Sequence, residues 1–153
     1  MLSFALPDGE EYRLENLCLD MNGTIALDGR LVEDVAALLA AIGAHIKVHL
    51  LTGGTHGGVE AAEQALGLRA TRIARGEEKE AYARSLGVSG VVAIGNGRND
   101  VAMLTAARLG ICVLGPEGAA RAAADAADIL APSPQAALSL LLHRDRLVAT
   151  LRR

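Results

Sequence analysis

Short apolar runs alternate with helical patterns along most of the chain. Buried strands are predicted for the apolar runs at 17–20, 45–51, 69–74, 90–95 and 110–114, with a last short one at 128–130. Apolar residues at helical spacing predict helices at 33–43, 59–66, 77–86, 100–109, 117–127 and about 133–142. Continuous apolar strands between helices are typical of a parallel sheet covered on both faces. We therefore predict an α/β fold: a Rossmann-like, doubly wound, mostly parallel sheet.

Two turn signals stand outside this alternation. Residues 3–16 predict an N-terminal β-hairpin that turns at Asp8-Gly9, and a second tight turn is predicted at Asp28-Gly29. We expect a single domain over 1–153, with the hairpin at 1–16 and the core at 17–150. The last ten residues, RDRLVATLRR, carry four arginines. They predict a solvated helix end, with a contact to a partner or second subunit as the alternative.

Composition narrows the possible partners. The 153 residues are 51% hydrophobic and 22% charged with a net charge of −3, which suits one globular domain. The acidic balance, with Phe4, Tyr12 and Tyr82 as the only aromatic residues, argues against nucleic-acid binding. The sequence has no apolar run of about 20 residues, so we expect no membrane span. Cys18 and Cys112 lie in apolar runs and predict buried free thiols and a cytoplasmic location.

Residues of the types found in catalytic and binding sites follow the predicted strands. They are Asp20 to Thr24, Thr52 to Gly54, Lys79, and Gly95 to Asp100. Ligands of doubly wound sheets bind beyond the carboxyl ends of the strands, so these residues are expected to share one edge. Carboxylates, a hydroxyl beside glycines and an ammonium group suit a phosphoryl group handled with a divalent metal.

Four motifs in this order resemble the haloacid dehalogenase superfamily of phosphohydrolases. Asp20-Met21-Asn22-Gly23-Thr24 matches its nucleophile motif, Thr52-Gly53 the second, Lys79 the third, and Gly95 to Asp100 the fourth. The resemblance spans about residues 15–150. It is closest to a small branch, without cap domains, that is related to the phosphorylation domain of P-type ATPases.

The resemblance implies a role for each motif residue. Asp20 would attack phosphorus and carry an aspartyl-phosphate. The phosphoryl oxygens would be held by Gly23, Thr52, Gly53, Lys79 and Asn99, and Mg²⁺ by Asp20, the Asn22 carbonyl, Asp100 and Asn96.

Each assignment also has a structural alternative. Asp20 could be a turn residue, and Asp100 could be the N-cap of the following helix. Lys79 could be a solvated helix lysine between two glutamates, and Thr52 a simple strand-end hydroxyl.

Two asparagines depart from the family pattern. Asn22 stands where general phosphatases have an acid–base Asp, and Asn96 stands where many relatives have an acidic residue. Because an amide cannot transfer a proton, we expect slow turnover. His56 could supply the missing group, although a solvated loop histidine is the simpler interpretation.

The chain also leaves no room for a cap, since only 27 residues separate Thr24 from Thr52. The substrate, a phosphorylated small molecule or a phosphoprotein, or a second subunit of a homo-oligomer would then cover the open site. A catalytically weak regulatory or partner-binding module that keeps the phosphate site is the alternative function.

Overall fold

A six-stranded parallel sheet forms the centre of the protein. The computed structural model describes residues 1–54 and 57–153. The strands are β3 (Asn16–Asp20), β6 (Lys47–Thr52), β7 (Ala70–Arg72), β8 (Val91–Gly95), β9 (Leu109–Val113) and β10 (Ile129–Ala131). Their order across the sheet is β10-β9-β8-β3-β6-β7. The predicted doubly wound parallel sheet is confirmed.

Helices cover both faces of this sheet. One face carries α1 (Val35–Gly43), α2 (Val59–Leu66), α6 (Pro134–Leu142) and α7 (Arg144–Leu151). The other carries α3 (Gly76–Ser85), α4 (Val101–Ala106) and α5 (Arg121–Ala126). Strand β3 shows why both faces are apolar: Leu17 and Leu19 point into one core and Cys18 into the other.

Two small antiparallel hairpins stand beside the main sheet. The first pairs β1 (Leu2–Ala5) with β2 (Glu11–Leu14), as predicted. It is held by Arg108, whose guanidinium lies 3.8 Å from the centroid of the Tyr12 ring and pairs with Glu10 at 2.9 Å. The second pairs β4 (Ala26–Leu27) with β5 (Arg30–Leu31) around the predicted Asp28-Gly29 turn. This hairpin is the only regular structure between β3 and α1 in the described chain.

Two predicted helices are shorter than expected. The helix predicted to 109 ends at Ala106, because Ala107 is already extended and Leu109 begins β9. The helix predicted from 117 begins only at Arg121. Residues 115–118 form a turn instead, in which the Gly118 amide donates to the carbonyl of Gly115 at 2.8 Å. That turn reaches the edge of the sheet where the predicted site lies.

Both cysteines are buried and free, as predicted. Burial raises the pKa of the Cys18 thiol to about 12, which keeps it neutral in the core. In the parts of the chain that the structure describes, no helix has the length and apolar character needed to cross a bilayer.

Gly58 and Gly67 flank α2 and provide a matched pair for testing a close backbone contact. Both have positive φ, +72° and +63°, but a Cβ on Gly58 would lie 2.0 Å from the carbonyl oxygen of Gly29, whereas Gly67 has no atom within 4 Å. We expect Gly67→Ala to cost about 1–2 kcal/mol of unfolding free energy from backbone strain alone. Gly58→Ala should cost clearly more, since the β4–β5 turn must also move. Urea unfolding of both variants measures this, and equal losses would contradict the contact.

Candidate functional site

Three parallel strands bring predicted site residues to one edge of the sheet. Asp20 is the last residue of β3, Thr52 of β6 and Gly95 of β8. The register pairs Asp20 with Leu51, so Asp20 and Thr52 end neighbouring strands at nearly the same height. Lys79 reaches the same edge from α3 and Asp100 from the loop after β8.

The Lys79 ammonium lies between two carboxylates. Its Nζ donates to Asp20 Oδ1 at 2.5 Å and to Asp100 Oδ1 at 2.8 Å, and the Lys79 side chain is 0% exposed. The interpretation of Lys79 as a solvated helix lysine is therefore wrong. A buried ammonium needs such partners, because an unpaired charge in the interior is strongly unfavourable.

Burial sets the proton affinities of this cluster. It raises the pKa of Asp20 to about 6, with the Asp100 charge adding to the rise and Lys79 opposing it. Burial alone would lower the pKa of Lys79, but the charges of Asp20 and Asp100 raise it above its usual value. Lys79 is thus a permanent cation at neutral pH, while Asp20 ionises near neutrality.

The Asp100 carboxylate is turned into the site. Its Oδ2 accepts the backbone N–H groups of Asn96 and Gly97 at 3.0 and 2.9 Å, and its other oxygen faces Lys79. Asp100 occupies the position before α4, but its side chain makes no capping bond to that helix. The purely helix-capping alternative does not describe this side chain.

Helix α3 is held in place from two directions, which fixes Lys79. A Cβ on Gly76, the first residue of α3, would lie 3.0 Å from the carbonyl oxygen of Asn99. The helix also carries Tyr82, whose hydroxyl lies 2.9 Å from Nδ1 of His49, a buried residue of β6. His49 Nε2 in turn lies 3.0 Å from Asn16 Oδ1 on β3.

Thr24 and Asn96 connect the loop after β3, which follows the predicted nucleophile Asp20 and is called the nucleophile loop below, to the fourth motif. The Thr24 hydroxyl lies 2.9 Å from Asp20 Oδ2 and 3.2 Å from Asn96 Oδ1. Gly23 has φ +76°, and a Cβ there would lie 2.5 Å from Asn96 Nδ2. The glycine thus lets the loop approach Asn96 closely, a reason additional to the predicted approach of a phosphoryl group.

Asn22 leaves one buried polar atom without a partner. Among the described residues, its Oδ1 is the buried side-chain oxygen or nitrogen that has no hydrogen bond. Such an atom, two residues after Asp20 in the sequence, favours a partner that donates a proton or carries positive charge. No group of three or more His, Cys, Asp or Glu side chains suited to a metal occurs in the described residues. The predicted donor set contains only the two carboxylates, supplemented by amide and backbone oxygens.

The loop after β6 begins with the predicted phosphate-binding residues. Thr52 is buried, and its hydroxyl oxygen accepts the N–H of Gly54 at 3.1 Å. Gly53 follows it directly at the exposed end of the strand. His56, the candidate acid–base group, lies outside the described residues. The backbone of Asn99 lies beside Gly76 at the start of α3, the helix that carries Lys79.

Two residues at this edge were given no role by the sequence. Thr24 was placed at the edge as the last residue of the first motif, and the structure shows that its hydroxyl contacts Asp20 directly. Glu117 lies in the turn after β9, and a Cβ on Gly23 would lie 2.7 Å from its Oε2. The other site residues were found by examining the positions just after each predicted strand. The same search could have found Glu117, but the sequence pattern assigned that residue to a helix.

Solved structures share this architecture. The cobalt-bound deoxy-D-mannose-octulosonate 8-phosphate phosphatase of Haemophilus influenzae aligns with a TM-score of 0.72 and 14% identity, over 92% of this chain and 94% of that one. The corresponding phosphatase of Moraxella catarrhalis, in complex with magnesium, phosphate and KDO, aligns with a TM-score of 0.69 and 19% identity, over 91% and 94%. A putative HAD family hydrolase of Streptomyces avermitilis gives 0.66 and 18%, over 84% and 82%. The protein has the haloacid dehalogenase fold.

Sequence comparison gives a narrower relationship. The uncharacterized protein MJ0073 of Methanocaldococcus jannaschii is 48% identical over 62 residues, which cover 40% of this chain and 67% of that protein. The chain belongs to the same family as MJ0073. No family model matches it.

The raised pKa of Asp20 predicts a pH dependence of stability. Between its ordinary value of 3.8 and about 6, the folded state holds a proton that the unfolded state has lost. The Asp20 contribution is therefore complete below pH 3.8 and is lost as the pH rises through 6, roughly 3 kcal/mol in all. We expect the unfolding free energy of the wild type minus that of Asp20→Asn to fall across this window. Urea titrations in a metal chelator measure it, and a difference that rises with pH would contradict the assignment.

Proposed function

We propose that the protein is a Mg²⁺-dependent phosphohydrolase that works through an aspartyl-phosphate on Asp20. The observation that carries the proposal is the position of Asp20: at the end of the central strand, bonded to Lys79 and Thr24, with Asp100 on the same lysine. The haloacid dehalogenase fold supports it. The relationship to the P-type ATPase phosphorylation domain stays a prediction.

The residues divide the work of phosphoryl transfer. The Asp20 carboxylate attacks phosphorus, and the bond to the leaving group breaks as the new P–O bond forms. The buried Lys79 ammonium orients that carboxylate and neutralises charge that gathers on the phosphoryl oxygens. Thr52, Gly53 and Asn99, at the ends of the neighbouring loops, hold the non-bridging oxygens.

The donors present fit Mg²⁺. Asp20 and Asp100 offer carboxylate oxygens on one cluster, and Asn22, two residues after Asp20, offers the main-chain carbonyl that was predicted as a ligand. Mg²⁺ prefers oxygen ligands and is usually held by one or two carboxylates together with water and phosphate oxygens. Asp20, Asn22, Asp100 and Asn96 would hold it, and the bound ion would offset the negative charge of the phosphoryl group.

Asn22 makes the proposed enzyme slow. In this position an acid–base group contributes about 10²–10⁴ in rate, and an amide supplies none of it. The protein should therefore accept phosphoryl groups only from substrates that have a good leaving group. It should hydrolyse the aspartyl-phosphate intermediate slowly. The substrate is a phosphorylated small molecule or a phosphoprotein. Because the described chain places only the β4–β5 hairpin between β3 and α1, a large substrate or a second subunit must exclude water from the site.

A regulatory or partner-binding module is the second candidate function. Both Asp20 oxygens already have partners, Lys79 on Oδ1 and Thr24 on Oδ2, and this satisfied arrangement favours a stable scaffold that holds phosphate without turnover. Turnover measurements separate the two candidates.

Substitutions that exchange a carboxylate for an amide, or an amide for a carboxylate, test the proposed phosphoryl transfer. With an aryl or acyl phosphate and Mg²⁺, we expect Asn22→Asp to raise turnover by about 10²-fold, since it restores a proton carrier. Asp20→Asn should abolish phosphate release, and Asp145→Asn, on the surface of α7, is the control for a lost carboxylate. Steady-state phosphate release is the measurement. Equal inactivity of the wild type and Asn22→Asp would favour the regulatory module.

Metal dependence can be tested without turnover. Beryllofluoride binds a carboxylate as an acyl-phosphate mimic, so Mg²⁺ and beryllofluoride together should stabilise the protein, by about 2.7 kcal/mol at 100 times the dissociation constant. Thermal unfolding measures this shift. We expect it to vanish in Asp20→Asn and without Mg²⁺; stabilisation that survives either change would contradict the proposed site.

A further inference from the structure

A carboxylate from outside the four motifs lies against the nucleophile loop. Glu117 belongs to the turn 115–118, which follows β9 and so opens at the same sheet edge as Asp20. Its Oε1 accepts the N–H of Asp28 at 3.2 Å, and its Oε2 lies 2.7 Å from the point where a Gly23 Cβ would be. Glu117 therefore spans the loop from Gly23 to the β4–β5 turn.

Asn96 fastens this turn to the site. Its Nδ2 donates to the carbonyl of Gly118 at 3.0 Å, and its own carbonyl accepts the N–H of Ala120 at 2.8 Å. On its other side, Asn96 Oδ1 lies 3.2 Å from the Thr24 hydroxyl, which contacts Asp20. A continuous set of hydrogen bonds thus fixes the Glu117 backbone relative to the nucleophile.

Glu117 differs from the two site aspartates in its solvent exposure and in its ion pairing. Asp20 and Asp100 are buried and paired with Lys79, whereas Glu117 is exposed. Within residues 1–54 and 57–153, no Lys, Arg or His lies within ion-pair distance of Glu117. Its Oε2 faces the nucleophile loop and is able to accept a proton from water.

We infer that Glu117 is the general base for release of phosphate from Asp20, a step that Asn22 cannot assist. This inference rests on the proposed function. A water molecule between Glu117 and the phosphoryl group attacks phosphorus and gives one proton to Glu117 Oε2. As the new P–O bond forms, the bond between phosphorus and the Asp20 oxygen breaks, and its electron pair restores the Asp20 carboxylate. Phosphate leaves, and Glu117 returns its proton to solvent.

The lifetime of the phosphorylated protein tests this role directly. The 153-residue protein is labelled with radioactive acetyl phosphate in the presence of Mg²⁺ and is then chased with unlabelled acetyl phosphate. Glu117→Gln keeps an oxygen for the Asp28 N–H but cannot take a proton, so the label should persist at least about 10-fold longer than in the wild type. Its rate of formation should stay within about 2-fold, because acetyl phosphate carries a good leaving group that needs no acid.

Two further variants separate catalysis from structure. Glu33→Gln removes an exposed carboxylate after β5, and its label should decay at the wild-type rate. In an Asn22→Asp background, the restored acid–base group should make Glu117→Gln almost without effect on decay. A structural role for Glu117 would slow formation and decay together, in both backgrounds.

The outcomes are distinguishable. A wild-type lifetime in Glu117→Gln, or an equal slowing in both backgrounds, overturns the inference while leaving Asp20 as the phosphorylated residue. If the wild type takes up no label, or if Asp20→Asn takes up as much label as the wild type, the proposed function fails. The inference, which rests on it, then fails as well. Slow decay in Glu117→Gln that Asn22→Asp relieves supports both.

Discussion

The ammonium of Lys79, enclosed between the carboxylates of Asp20 and Asp100, is the interaction on which the arrangement of the sheet edge depends. These three residues form an ion triad. Asp20 lies on β3, Lys79 on α3 and Asp100 in the loop after β8, so the triad joins three segments that are distant in sequence. Lys79 is the single cation of the triad, and removing it would leave two buried carboxylates without a counter-charge; losing one partner of a buried ion pair in this way costs about 3–5 kcal/mol. The geometry of the triad also fixes the orientation of the Asp20 carboxylate before any ligand arrives.

A second set of contacts, neutral in charge, extends this arrangement outward. Thr24 and Asn96 link Asp20 by hydrogen bonds to the turn that carries Glu117. The main-chain amides of the fourth motif hold the Asp100 carboxylate. Asparagine at position 96 suits this purpose, since its amide donates to one loop while its oxygen faces another. Asn96 thus has a structural function in addition to its proposed place among the metal ligands.

The sequence predicted the fold better than the ends of its elements. Alternating apolar runs and helical spacing identified the sheet, because burial on both faces leaves a strong pattern. The ends of α4 and α5 were wrong, since alanine-rich segments continue a helical pattern past the point where tertiary contacts stop the helix. Strand ends located Asp20, Thr52 and Asp100, but the complete burial of Lys79 was not predictable from a segment flanked by Glu78 and Glu80. Glu117 shows the same limit, because the hydrogen bonds that place it join residues far apart in the chain.

The order of strands across the sheet also has a kinetic consequence. Strand β3 is synthesised first of the six but lies in the middle, and its neighbour β8 follows only after β6 and β7 have been made. Parallel pairings between distant segments require loop closure before they become favourable, and they fold slowly for that reason. Until β8 arrives, β3 has one unpaired apolar edge, which is a template for association with other chains. Newly made protein is therefore most vulnerable to aggregation between the synthesis of β3 and the arrival of β8.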